Sequence, residues 1–204
     1  CISLLGDQGC GFESQLLAVK RALERAADPS DDPSNPNRGL LRPDALLAII
    51  MLTDEDDCSL PADSLLGDTS SGTDVSSPLG PLTSFRCTEY GVLCNGRRPP
   101  RDATPLDLAG CTSNDTGAFT DAQQRLLSVA QLAQEIKALK PPGMTVIEAI
   151  AGPAPPDGRF AVEAGTSGGQ VIPVLASSCD GGPMIGAGSP AVGIQEFLQS
   201  WETG

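Results

Sequence analysis

Apolar positions along the chain follow two rhythms. From Phe12 to Arg25 they recur as Phe12, Leu16, Val19 and Leu23, spaced i, i+4, i+7 and i+11, one stripe of a helix. Asp28 to Gly39 is rich in Pro, Asp and Asn and reads as a loop. Ala45 to Leu52 is a continuous apolar run with no polar alternation. Such a run predicts a strand buried on both faces, as in a parallel sheet under helices. It ends in Thr53-Asp54-Glu55-Asp56-Asp57, a burst of carboxylates at the end where open α/β sheets bind ligands.

Residues 58–119 show no periodicity and are rich in Ser, Gly, Pro and Asp. They read as a long insertion with little regular structure, pinned by cysteines. Thr120 to Lys140 reads as a helix, with Thr120 and Gln123 placed as a capping box and Leu126, Val129, Ala133 and Ile136 along one face. Pro141-Pro142 stops it, and Met144 to Ala151 reads as the next buried strand. Gly158–Gly169 and Gln170–Ala176 read as short strands around a Gly-rich turn. Ser189 and Pro190 open a last helix with Ile194, Phe197, Leu198 and Trp201 on its stripe. Helix followed at once by apolar strand is the α/β rhythm, and the 204 residues suit one domain, 1–204, carrying the insertion.

Composition narrows the function. The net charge of −13 argues against nucleic acid and against an anionic membrane surface. No histidine is present, which removes histidine general bases, Ser-His-Asp triads and histidine zinc sites together. Aromatic residues are 3% of the chain, so the core must be aliphatic. Seven cysteines stand at 1, 10, 58, 87, 94, 111 and 179 without any C-x-x-C. They read as disulfides of an oxidising compartment: secreted, periplasmic or cell-surface. Close spacing suggests Cys1–Cys10 and Cys87–Cys94, then Cys58–Cys111, with Cys179 the odd one. No signal peptide or membrane span is visible, so an exported chain has lost its leader or does not show it.

Of the short motifs, the acidic cluster is the best site. Mg²⁺, Mn²⁺ or Ca²⁺ takes carboxylate and hydroxyl oxygens, and Asp54 is the leading ligand, with Glu55 and Asp56 behind it. Asp68-Thr69-Ser70-Ser71-Gly72 is a loop rather than half of an aspartic protease site. Ser167 lacks a base and reads as turn chemistry. Asn114-Asp115-Thr116 is a glycosylation sequon of low specificity.

Several blocks taken together resemble a known family. They are Gly9-Cys10-Gly11-Phe12-Glu13, Leu40-Leu41-Arg42-Pro43-Asp44-Ala45, Leu52 to Ser59, Phe85-Arg86-Cys87, Gly91-Val92-Leu93-Cys94, Ala149 to Pro153, Ser178-Cys179 and Pro190-Ala191-Val192. The set resembles the Cys-rich von Willebrand factor type A domains of exported bacterial proteins, such as those of myxobacteria. The resemblance implies an α/β, Rossmann-like, doubly wound, mostly parallel sheet. It also implies a metal-ion-dependent adhesion site at the C-terminal edge of the strands. Asp54 matches the Asp that ends the family's fourth strand. The family's Asp-x-Ser-x-Ser motif does not occur, and its Thr loop falls at Gly6-Asp7-Gln8-Gly9, so Asp7 or Glu13 would have to supply an oxygen. The family's first strand has no counterpart in these residues and would come from upstream chain or another subunit.

Two functions are therefore expected. One is an exported, non-enzymatic adhesion module gripping a protein partner through a divalent cation at Asp54. The other is a structural or assembly subunit of a surface fibre or envelope complex with a degenerate metal site.

Overall fold

The computed structural model describes residues 12–30, 32–180 and 187–202. Among them helix α1 (Gln15–Ala27) leads to strand β1 (Leu47–Leu52), then α2 (Phe85–Gly91), β2 (Val92–Cys94), β3 (Leu106–Asp107) and β4 (Cys111–Ser113). Helix α3 (Val129–Lys137) precedes β5 (Thr145–Ile150), the hairpin β6 (Ala161–Ser167) and β7 (Gln170–Leu175), the short β8 (Cys179–Asp180) and β9 (Ala187–Gly188), and α4 (Val192–Glu202).

Mixed α and β structure with one parallel pair is as expected. The doubly wound sheet is not seen among the described residues. Their strands form separate small sheets: β1-β5, β2-β4, β3-β6-β7 and β8-β9. Only β1 and β5 run parallel, in register from Leu47–Thr145 to Leu52–Ile150. The Gly-rich turn was legible: Gly168 and Gly169 both take positive φ and close the β6–β7 hairpin.

Helices α1, α3 and α4 bury one face of the parallel pair. Leu16 and Leu23 of α1, Leu132 and Ile136 of α3, and Ile194 and Phe197 of α4 pack with Ile49 and Met51 of β1. A smaller core gathers Val92, Ala154, Phe160 and Val192. The expectation that β1 is buried on both faces is wrong. Its burial alternates, and the faces of β1 and β5 away from the helices stay exposed. The apolar run misled because it supplies apolar residues to both faces, whatever covers them.

Local chemistry sets the element ends. The carbonyls at the end of α1 are taken by Asn35 and Asn37, whose Nδ2 groups donate to Arg25 O at 2.7 Å and Ala22 O at 3.0 Å. Buried Lys140 donates to Arg42 O and Ala45 O, each at 2.6 Å, and so fixes the entry to β1. Helix α3 begins at Val129 rather than Thr120. The preceding segment is held against the insertion: Leu127 N donates to Ser59 O at 2.8 Å and Gln123 O accepts from Leu65 N at 2.8 Å. Ser128, not Thr120, is the cap, its hydroxyl accepting from Gln131 N.

The cysteine pairing also differs. The disulfides are Cys58–Cys87 and Cys94–Cys111, not Cys87–Cys94 and Cys58–Cys111. Helix α2 and its turn separate Cys87 from Cys94. Cys94 on β2 lies directly opposite Cys111 on β4. Cys1 and Cys10 lie outside the described residues. Cys179 is exposed and forms no disulfide among the described residues.

The insertion is more ordered than expected. Fully buried Arg86 donates to the carbonyls of Pro81 (3.2 Å), Leu66 (2.8 Å), Asp68 (2.9 Å) and Gly80 (2.6 Å), and to Ser71 Oγ. Next to it, buried Glu89 pairs with Arg101 at 2.6 Å. One guanidinium thus gathers the carbonyls of a loop that has few apolar residues of its own. Arg86→Met is expected to cost about 3 kcal/mol, because several buried carbonyls lose their donor. Urea unfolding under non-reducing conditions reads the loss.

Candidate functional site

The acidic turn after β1 splits into two groups. Asp56 and Asp57 turn inward and serve helices. Asp56 accepts from Gly193 N at 2.9 Å and Ile194 N at 3.1 Å, at the start of α4. Asp57 accepts from Leu16 N at 2.9 Å, at the start of α1, and from Ser59 N and Oγ. Ser14 precedes α1 but makes no capping bond; its hydroxyl donates to Cys58 O at 3.1 Å instead. The orphan amides of both helices are therefore satisfied from a remote loop. A third remote carboxylate completes the set, since Asp115 accepts from Val129 N at 2.7 Å at the start of α3. Each negative charge also faces the positive end of a helix dipole.

Asp54 and Glu55 form the other group, with Glu13. Asp54 has an exposed side chain, and its carbonyl accepts from Ser189 N at 2.8 Å. That bond brings the lead-in to α4 across the C-terminal ends of β1 and β5. Gly152 is required there: a Cβ on it would stand 2.0 Å from Ser189 O. Thr53 Oγ1 donates to Glu13 Oε2 at 3.1 Å and Glu55 O at 2.9 Å, while Gln15 Nε2 donates to Glu13 at 3.0 Å. Burial first, then the charges of Glu13 and Asp54, push the Glu55 carboxyl up to about 7. Burial likewise lifts Asp56 to about 6, against the pull of its amide donors, and raises Asp57.

The turn brings together Glu13, Asp54 and Glu55 from the expected ligand set. It diverts Asp56 to a helix cap, and Asp7 lies outside the described residues. Among the described residues, no group of three or more His, Cys, Asp or Glu side chains is placed to hold a metal ion. The cap roles of Asp57 and Asp115 and the anchor role of Arg86 were not anticipated. The Cys-flanked Phe85-Arg86-Cys87 block was the one signal for the last. Asn114 of the sequon is engaged internally, with Nδ2 donating to Tyr90 O and Ala118 O, both at 3.0 Å.

Fold and site together define a disulfide-stapled, mixed α/β domain with an acidic sheet end. Comparison with family models, curated proteins and solved structures finds no match for the chain. No helix among the described residues is long and apolar enough to cross a membrane.

Two outcomes follow. Asp57→Ala is expected to cost about 2 kcal/mol, by removing a cap and leaving the Leu16 amide buried. Chemical denaturation measures it. Glu55 and Asp56 hold protons more tightly folded than unfolded, so stability falls as pH rises through the interval between their ordinary and raised values. Melting temperature should therefore climb as pH drops from about 7.5 to about 5, and Glu55→Gln should flatten the upper part of that slope.

Proposed function

We propose that this is a non-catalytic, protein-binding domain of an exported or cell-surface assembly, docking its partner on the outer face of the β1–β5 pair. One observation carries the reading. That face exposes Ile50 (73%) and Leu52 (54%) of β1 beside Ile150 (67%) and Val146 (44%) of β5, on two adjacent parallel strands, and Leu46 (58%) is exposed just before β1. Parallel sheets are ordinarily covered on both faces, and a contiguous apolar patch marks an interaction site. Two disulfides support an oxidising compartment. The parallel β1–β5 pair with its acidic end is what supports the proposed kinship with von Willebrand factor A domains.

The assembly-type version, without a working metal site, is favoured over cation-dependent adhesion. Asp56 and Asp57 commit their carboxylates to helices α4 and α1, which leaves Asp54 with few neighbours able to complete a coordination shell. A photo-crosslinking residue at position 50, introduced in the producing cells, tests both. A discrete adduct is expected from position 50, none from position 163 on β6, and the adduct should survive EDTA. No adduct, or equal adducts at both positions, overturns docking at this face. Loss of the adduct in EDTA and in Asp54→Ala returns the cation-dependent reading to first place.

A further inference from the structure

The same strands offer more than an apolar face. The β1–β5 ladder begins where Leu47 N donates to Met144 O at 2.9 Å and ends where Thr53 N donates to Ile150 O at 3.0 Å. Pairing in a parallel ladder uses alternate residues. Ala48, Ile50 and Leu52 therefore turn their amides and carbonyls toward the opposite edge. Among the described residues no strand pairs with that edge. Proteins usually blunt such an edge with charge, proline or a bulge. Leu47–Leu52 has none of these: its sequence is LAIIML.

One charge does stand on the exposed face. Glu148 lies on β5 in register with Ile50, between Val146 and Ile150. It has no hydrogen-bond or ion-pair partner among the described residues. A carboxylate inside an apolar docking face selects its partner by requiring a cation. The chain's net charge of −13 points the same way and opposes pairing between two copies, which would bring their Glu148 side chains onto one face.

We infer that the free edge of β1 accepts an extended, apolar strand of a basic partner polypeptide, with a Lys or Arg of that strand reaching across Ile50 to Glu148. The inference rests on the docking reading above and specifies the partner's chemistry. An added strand sits about 4.8 Å from β1, so about 9.6 Å from β5. An extended Lys or Arg spans that gap together with the Glu side chain, laying its methylene stem over Ile50 and its charge at Glu148. Main-chain bonds to Ala48, Ile50 and Leu52 supply affinity, while the apolar pockets and the single cation supply register and selectivity.

Three blocked ten-residue peptides test it, each alternating Val and Thr, with Lys, Gln or Glu at the centre. Binding to the whole domain is followed by fluorescence anisotropy and amide hydrogen exchange. The Lys peptide is expected to bind best and to slow exchange at Ala48, Ile50 and Leu52. Glu148→Gln should weaken the Lys peptide about two- to five-fold and leave the Gln peptide unchanged. Ile50→Ser with Ile150→Ser should abolish binding of all three. Equal binding of Lys and Glu peptides overturns the cation requirement. Binding without protection of the three amides overturns strand addition, while docking on the face survives. No binding up to about 1 mM overturns the inference alone, because crosslinking from position 50 judges the face independently. Protection of the same amides by the domain's own concentration, without peptide, assigns the edge to a second copy instead.

Discussion

Remote carboxylate caps hold this structure together. Helices α1, α3 and α4 each begin with amides that no neighbouring residue satisfies fully, and Asp57, Asp115 and Asp56 reach them from other segments. A cap of this kind does two things at once. It satisfies orphan donors, and it fixes where the helix start lies relative to a distant strand or loop. Because Asp56 and Asp57 are adjacent at the end of β1, α1 and α4 are aligned to one point at the C-terminal edge of the parallel pair. The apolar stripes of α1, α3 and α4 then meet Ile49 and Met51. The cost is desolvation, visible in the raised carboxyls of Asp56 and Asp57.

The insertion is bound to the same point. Cys58 follows the caps directly, and its bond to Cys87 places α2 beside the acidic turn. Arg86 then organises the loops around α2 through their carbonyls, while Cys94–Cys111 closes the β2–β4 ribbon. A segment poor in apolar residues is thus held by covalent and charge-assisted contacts rather than by a core of its own. Asp115 returns from this segment to start α3, so insertion and helical layer constrain each other.

The legible parts of the sequence were those governed by periodicity. The stripe of α1, the two parallel strands, the β6–β7 hairpin and α4 follow from local spacing and lie near their expected ranges. The start of α3 and the disulfide pairing were not legible, because long-range packing decides both. Leu127 N is held by Ser59 O, and Cys94 lies opposite Cys111 through the β2–β4 pairing. The acidic turn was recognised as important for a different reason from the one the fold reveals. Composition shows four carboxylates in a row; it cannot show that two of them face helix amides.

The treatment of sheet edges separates β1 from the β3-β6-β7 sheet. In the β6–β7 hairpin the Ser167–Gln170 pair flanks a two-residue turn and is hydrogen-bonded, so Ala164–Pro173 is a non-bonded pair. Pro173 then faces the outer edge of β7, where its missing N–H refuses an added strand. The other side of that sheet carries only the two-residue β3. Here the fold protects its edges in the ordinary way. The β1 edge has the longest apolar sequence in the chain and, among the described residues, no such protection, while its exposed face carries on β5 one carboxylate unpaired among those residues. An edge left open at random would be expected to acquire a charge or a proline on its own strand, since aggregation penalises it. The edge left open among the described residues, beside a single, centrally placed Glu148, is what the proposed partner strand would use.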